Sequence, residues 1–162
     1  MRSNRPLTQF ACRCVTDSVV DPNPKNYEHN RGNTTVRAVV DGLNQTIDVD
    51  LFGSTIMSLI VKDFAIHSIR LLFGGMYDQE GNPTSTTIER INGLLATLGQ
   101  LHALPEGVRI FKHREEGCYA VGKDEDYVTI GRDRYRDVML RPSKARFEVD
   151  GYMVSGDLLF WK

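Results

Sequence analysis

Hydrophobic and polar positions alternate along most of this chain, and the period switches clearly to a helical one only once. Val36-Arg-Ala-Val-Val40 is the first firm apolar run. Thr46-Ile-Asp-Val-Asp-Leu51 then alternates strictly, which puts Ile47, Val49 and Leu51 on one face of a strand. Asp41-Gly42 between the two runs predicts a hairpin, with a loop longer than two residues. Phe52-Gly53 breaks the second run. From Ser54 to Phe73 the apolar residues fit either one helix or two strands, Thr55–Val61 and Phe64–Phe73, paired across Lys62-Asp63. The density of Ile and Val and the lack of a single apolar helical face favour the strands.

The helical stretch covers about residues 86–98. Ile88, Ile91, Leu94, Leu95 and Leu98 recur at helical spacing and form a core face. Thr86-x-x-Glu89 reads as a capping box, with Pro83 just upstream and Gly99 as the stop signal. Strand patterns return with Val108–His113 and Cys118–Val121, which Asp126–Ile130 extends. Val138–Leu140, Ala145–Val149 and Tyr152–Trp161 read as closing strands, with Asp150-Gly151 as a second hairpin signal. Residues 1–35 carry turn-rich segments such as Asp21-Pro-Asn-Pro, so an irregular N-terminal arm is expected, with at most a short strand near Leu7–Val15. Together these elements predict an α+β protein. A mainly antiparallel β-sheet over 36–162 carries one principal amphipathic helix, and 122–162 form a β-rich extension of the core.

Composition narrows the function classes. At 162 residues the chain can bury a core without covalent staples. The net charge of −1 argues against a general polyanion binder. No run of about 18 apolar residues is present, so no membrane span is expected. Met1-Arg-Ser-Asn-Arg-Pro is charged with no apolar segment behind it, which predicts a cytoplasmic chain. Cys12, Cys14 and Cys118 are an odd number and do not suggest a disulfide framework. Cys12-x-Cys14 with His29 could supply half a zinc site, but the spacing departs from a C-x2-C knuckle and the second half is missing. Arginine outnumbers lysine 14 to 6, which suits phosphate recognition but equally reflects a GC-rich genome.

No complete catalytic, cofactor or metal motif is present. Two segments remain as candidate sites. Thr84, Ser85, Thr86 and Thr87 place hydroxyls at the positive end of the helix, with Arg90 one turn in, an arrangement that serves either an anion cradle or plain capping. Arg132, Arg134, Tyr135, Arg136 and Arg141, with Lys144 and Arg146 nearby, form a basic segment with a stacking residue, suited to nucleic acid or a partner. Asp133 and Asp137 partly neutralise it, and a solvated charged face accounts for the same residues.

Residues 51–121 also carry a composite pattern. Gly53-Ser-Thr-Ile56 is followed by Ile69-Arg-Leu-Leu-Phe-Gly-Gly-Met-Tyr77, then Thr84-Ser-Thr-Thr-Ile-Glu-Arg-Ile-Asn92, then Val108–Phe111 and Cys118-Tyr119. This resembles a set of small bacteriophage accessory proteins of uncharacterised role, with Thr-x-Thr-Thr-x-x-Arg-x-Asn as the specific part. Met76, the insert Asp78–Asn82 and Tyr119 depart from the pattern. The resemblance implies a non-catalytic phage-type protein that binds and inhibits or sequesters a host component, such as a defence nuclease, a polymerase or a small signalling nucleotide. Its expected partner is therefore a host protein or a nucleotide ligand, with no cofactor. Self-association stays open. Nucleic-acid binding through 132–146 is the alternative, and a small hydrolase or nuclease assembled from distant residues is a third.

Overall fold

The structure is a computed structural model, and it describes residues 5–62, 65–72, 83–101, 103–104, 106–115, 117–123, 127–130, 138–141, 146–149 and 152–154. For 65, 141, 146–149 and 152–154 only the backbone is described. Its class is α+β, mostly antiparallel sheet with helices packed on it. The strands are β1 (Tyr27–Arg31), β2 (Thr34–Asp41), β3 (Asn44–Leu51), β4 (Ser54–Lys62), β5 (Ala65–Leu71), β6 (Arg109–His113), β7 (Cys118–Gly122), β8 (Tyr127–Ile130), β9 (Val138–Arg141), β10 (Arg146–Val149) and β11 (Tyr152–Val154). The helices are α1 (Arg5–Val20) and α2 (Ser85–Gln100).

Eight strands form one sheet in the order β1-β2-β3-β4-β5-β9-β10-β11, and β6-β7-β8 form a second. The first five strands are a meander. The chain then leaves for α2 and the small sheet and returns beside β5, where Ile69 lies opposite Leu140 and Leu71 opposite Val138. The expected pair of strands across 54–73 is present as β4 and β5. Val149 pairs with Tyr152, in keeping with the Asp150-Gly151 signal.

The period-2 alternation explains the core. Val36 and Ala38, Ile47 and Val49, Met57 and Leu59, Ile69 and Leu71, and Val138 and Leu140 point to the same side and are all buried. Helices α1 and α2 cover that side: α1 touches β1, β2, β3 and α2, and α2 also touches β4 and β6. Each such aliphatic side chain contributes about 1.5–3 kcal/mol on burial. The opposite side carries polar pairs instead. Arg37 bridges Asp48 at 3.7 Å and Asp50 at 3.0 Å, and Ser58 and Thr55 donate to the same two carboxylates.

Several expectations are corrected. The N-terminal stretch is not an irregular arm or a short strand through Leu7–Val15; residues 5–20 form a helix. Leu7, Phe10, Ala11, Cys14, Val15, Ser18 and Val19 follow i, i+3, i+4 spacing, and Thr8, Ala11, Val15 and Ser18 are its buried residues. Residues 27–31, read as turn, pair as β1. The loop between β2 and β3 has only two residues, because Asp41 pairs with Asn44; Gly42 at φ 62° supplies the positive φ such tight turns need. Phe52-Gly53 is itself a hairpin turn, with both residues at positive φ, 52° and 80°. Thr84, two residues earlier than expected, caps α2. Its backbone is extended and its hydroxyl accepts from the Thr87 N–H. Gly99 lies inside the helix, which runs to Gln100 with Leu101 as its C-cap. The Gly74-Gly75 turn, the 78–82 insert and the closing strand beyond Val154 lie outside the described residues.

Candidate functional site

The row of apolar residues on β3 begins with a polar one. Stepping back by twos from Leu51, Val49 and Ile47 reaches Gln45, which faces the helix side between Val40 on β2 and Val61 on β4. It is 2% exposed, yet neither its Nε2 nor its Oε1 has a hydrogen-bond partner among the described residues. An unmet buried polar group costs about 1–3 kcal/mol, so native proteins rarely leave one without reason.

Gln45 lines a cavity of 330 Å³. The cavity lies between α1 and the β1–β3 end of the sheet. Cys14, Asp17 and Ser18 of α1 form one wall, and Tyr27 and His29 of β1 form another. Asp21, Lys25 and Asn26 come from the connection between α1 and β1. Two residues apart on the edge strand, Tyr27 and His29 project to one side, and their rings stack at 4.6 Å with planes 23° apart. The Ser18 hydroxyl donates to the Cys14 carbonyl at 2.8 Å and accepts from the Tyr27 hydroxyl, which lies 3.3 Å from the same carbonyl. These contacts fix the phenol ring against the end of α1.

The charges here are mixed. Asp17 and Asp21 stand against Lys25, and Asp21 already accepts from the Asn23 N–H at 2.8 Å. Burial pushes the Cys14 thiol pKa up, Asp17 adds to this and Arg13 opposes it. Burial also pushes the Tyr27 phenol up, with the Ser18 hydrogen bond opposing. At neutral pH both remain protonated, so the wall carries no thiolate nucleophile. The lining presents an amide, two hydroxyls, a thiol, an imidazole and mixed charge.

The residues expected at the α2 N-terminus have structural partners. The Thr84 and Thr87 hydroxyls lie 2.9 Å apart, Thr87 is buried and Ser85 is exposed. Arg90 is 0% exposed, and its guanidinium donates to Thr8 of α1 at 3.0 Å and to Thr34 of β2. Burial lowers its pKa, and Glu89 and Cys12 oppose the shift. Asn92 clamps β6: its Nδ2 donates to the Ile110 carbonyl at 3.0 Å and its Oδ1 accepts from the Ile110 N–H at 2.6 Å. The Thr-x-Thr-Thr-x-x-Arg-x-Asn stretch thus ties α2 to α1, to the large sheet and to the small one.

Arg132, Arg134, Tyr135 and Arg136 lie outside the described residues, and Arg141 is placed on β9 by its backbone alone. Cys12 and Cys14, two residues apart on α1, diverge: Cys12 interacts with Thr97 of α2, whereas Cys14 lines the cavity beside His29. Among the described residues no three His, Cys, Asp or Glu side chains are grouped to hold a metal ion, and no helix is long and apolar enough to cross a membrane. Reading motifs missed the cavity because its residues come from α1, β1 and β3. The available signal was Gln45 itself, a polar residue in step with Ile47, Val49 and Leu51. No protein-family model matches the chain, and neither does any curated protein or solved structure.

Proposed function

We propose that this chain is a non-catalytic binding protein that holds a small polar molecule in the cavity between α1 and the β1–β3 end of the sheet. The observation that carries this reading is Gln45, a buried amide with both donor and acceptor unfilled in the wall of a cavity. Among the described residues nothing satisfies it. The protonated Cys14 and Tyr27 support holding over covalent chemistry. A phage-type accessory role gives such a protein a purpose: withdrawing a small host molecule, for instance one that a defence system needs. To test this, purified protein is incubated with a polar metabolite extract, desalted and denatured, and the released compounds are identified by mass spectrometry. A compound retained by the wild type and lost in Gln45→Leu supports the proposal. Retention of nothing by either protein removes it.

A second reading, nucleic-acid binding, is favoured by a different observation. Phe111, His113 and Tyr127 form a half-buried aromatic row on the small sheet, with Tyr127 edge-on to Phe111 at 6.1 Å and 4.3 Å from His113. Arg109 sits over the Phe111 ring at 5.2 Å. Such rings stack on bases, worth about 1–3 kcal/mol each. Fluorescence anisotropy with single-stranded DNA and RNA should then show binding that weakens steeply with salt and at least fivefold in Phe111→Ala. Binding indifferent to that change removes this reading.

A further inference from the structure

The cavity's chemistry goes beyond a general small-molecule site. A glutamine amide presents one acceptor and one donor side by side, in a plane and at fixed spacing. Its best complement is a rigid flat edge with an adjacent donor and acceptor. Nucleobases have such edges, and a glutamine pairs in this way with the N6 and N7 of adenine. Both amide atoms are closed to solvent, so an incoming ring meets the amide edge only after the side chain turns about its broad terminal torsion into the cavity.

Three further features select among ligands. The stacked Tyr27 and His29 rings offer a flat aromatic face in the same wall, suited to a heterocycle. The 330 Å³ volume lies near the lower end of small-ligand sites, about 300–1,000 Å³, enough for a base with its sugar. Asp17 and Asp21 outnumber Lys25, and among the described residues no arginine lines the cavity, so a polyphosphate would meet net negative charge. Ser18 donates to the Cys14 carbonyl and Tyr27 donates to Ser18, which leaves hydroxyl lone pairs to accept from a sugar hydroxyl.

From these observations we infer that the cavity takes an uncharged nucleobase or nucleoside, read by the Gln45 amide and stacked against the Tyr27–His29 pair. This rests on the cavity being a small-ligand site, and the experiment separates the two ideas. Protein carrying 15N in its glutamine side chains is titrated with adenosine, guanosine, uridine and cytidine, and with ATP as the charged comparator, while the Gln45 side-chain signals are followed by NMR. The expected result is a saturable shift of the Gln45 amide with at least one nucleoside. Affinity for that nucleoside should fall at least tenfold in Gln45→Leu, which removes donor and acceptor, and also in Gln45→Glu, which removes the donor. ATP should bind at least tenfold more weakly than adenosine. If no nucleoside moves Gln45 while the metabolite extract still yields a compound lost in Gln45→Leu, the inference falls and the ligand-site reading stands. If the extract yields nothing as well, both fall. Nucleoside binding equal in wild type and both variants places the ligand elsewhere and also overturns the inference.

Discussion

Replacing Gln45 with leucine should make this protein more stable while removing the small-molecule binding proposed above. The side chain is 2% exposed, and both amide atoms lack partners among the described residues. Wild type therefore carries an unmet desolvation cost of about 1–3 kcal/mol per group. Leucine is close in size, has no polar atom, and would lie between Val40 and Val61, next to Ile47 along the strand. A net gain of about 2 kcal/mol is reasonable, taking one unmet group as the recoverable part. For a chain of 162 residues each kcal/mol moves the midpoint by about 2–4 °C, so thermal unfolding should shift upward by about 4–8 °C. Differential scanning calorimetry without ligand measures this directly. The same scan with an added ligand should raise the wild-type midpoint and leave the variant unmoved, because only a species that binds the native state stabilises it. A fall in midpoint for the unliganded leucine variant would refute the reasoning, since it would mean that the amide makes hydrogen bonds that leucine cannot.

Three further predictions follow from packing, turn geometry and titration. A Cβ at Gly93 would overlap Thr8 Cγ2, so Gly93→Ala should force α1 and α2 apart and strain the Thr8–Arg90 hydrogen bond, lowering stability by about 1–2 kcal/mol despite alanine's better helix propensity. Thr8→Ser removes that methyl and keeps the hydroxyl, so the double variant should regain most of the loss in urea titrations; an additive double variant would contradict the contact. Phe52 holds φ 52° in a two-residue turn and is 69% exposed, so Phe52→Asn should gain about 0.5–1 kcal/mol, and an unchanged or lower urea midpoint would count against the turn geometry. Burial raises the pKa values of Cys12, Cys14 and Tyr27 in the folded state. The native state then holds these protons longer than the unfolded chain, so their stability contribution is full at neutral pH. It declines as pH rises past the ordinary thiol and phenol values, about 8.5 and 10, toward the raised folded values. Unfolding midpoints measured from pH 7 to 11 should fall on the alkaline side, and Tyr27→Phe should flatten the last part of that fall; a profile identical to wild type would contradict the Tyr27 shift.

Local pattern alone determined β3, whose alternation is strict, and the helix α2, whose Ile91, Leu94, Leu95 and Leu98 are buried where the spacing put them, whereas β4 and β5 were favoured over a helix by their density of Ile and Val. In these segments one face meets the core and the other meets water or polar neighbours, so burial writes itself into the residue order. Helix α1 follows the same spacing, but its stripe is built from Thr8, Ala11, Cys14 and Ser18 as much as from large aliphatics, and small or polar residues carry a weak periodic signal. Such residues are buried because α2 approaches closely at Gly93 and the sheet lies beneath, which only the packed structure reveals. Capping shows the same division: four hydroxyl residues in a row announce a helix start, but the backbone conformation at Thr84 and the buried partner at Thr87 decide which one caps. The cavity is the clearest tertiary product. Gln45 belongs by its position to an apolar row, and its isolation arises only where the end of α1, the Tyr27–His29 edge and β3 fail to close on one another. Hydrophobic periodicity is a property of neighbours along the chain, whereas an unfilled hydrogen bond is a property of what lies across a gap, and that gap is set by helix placement over the sheet.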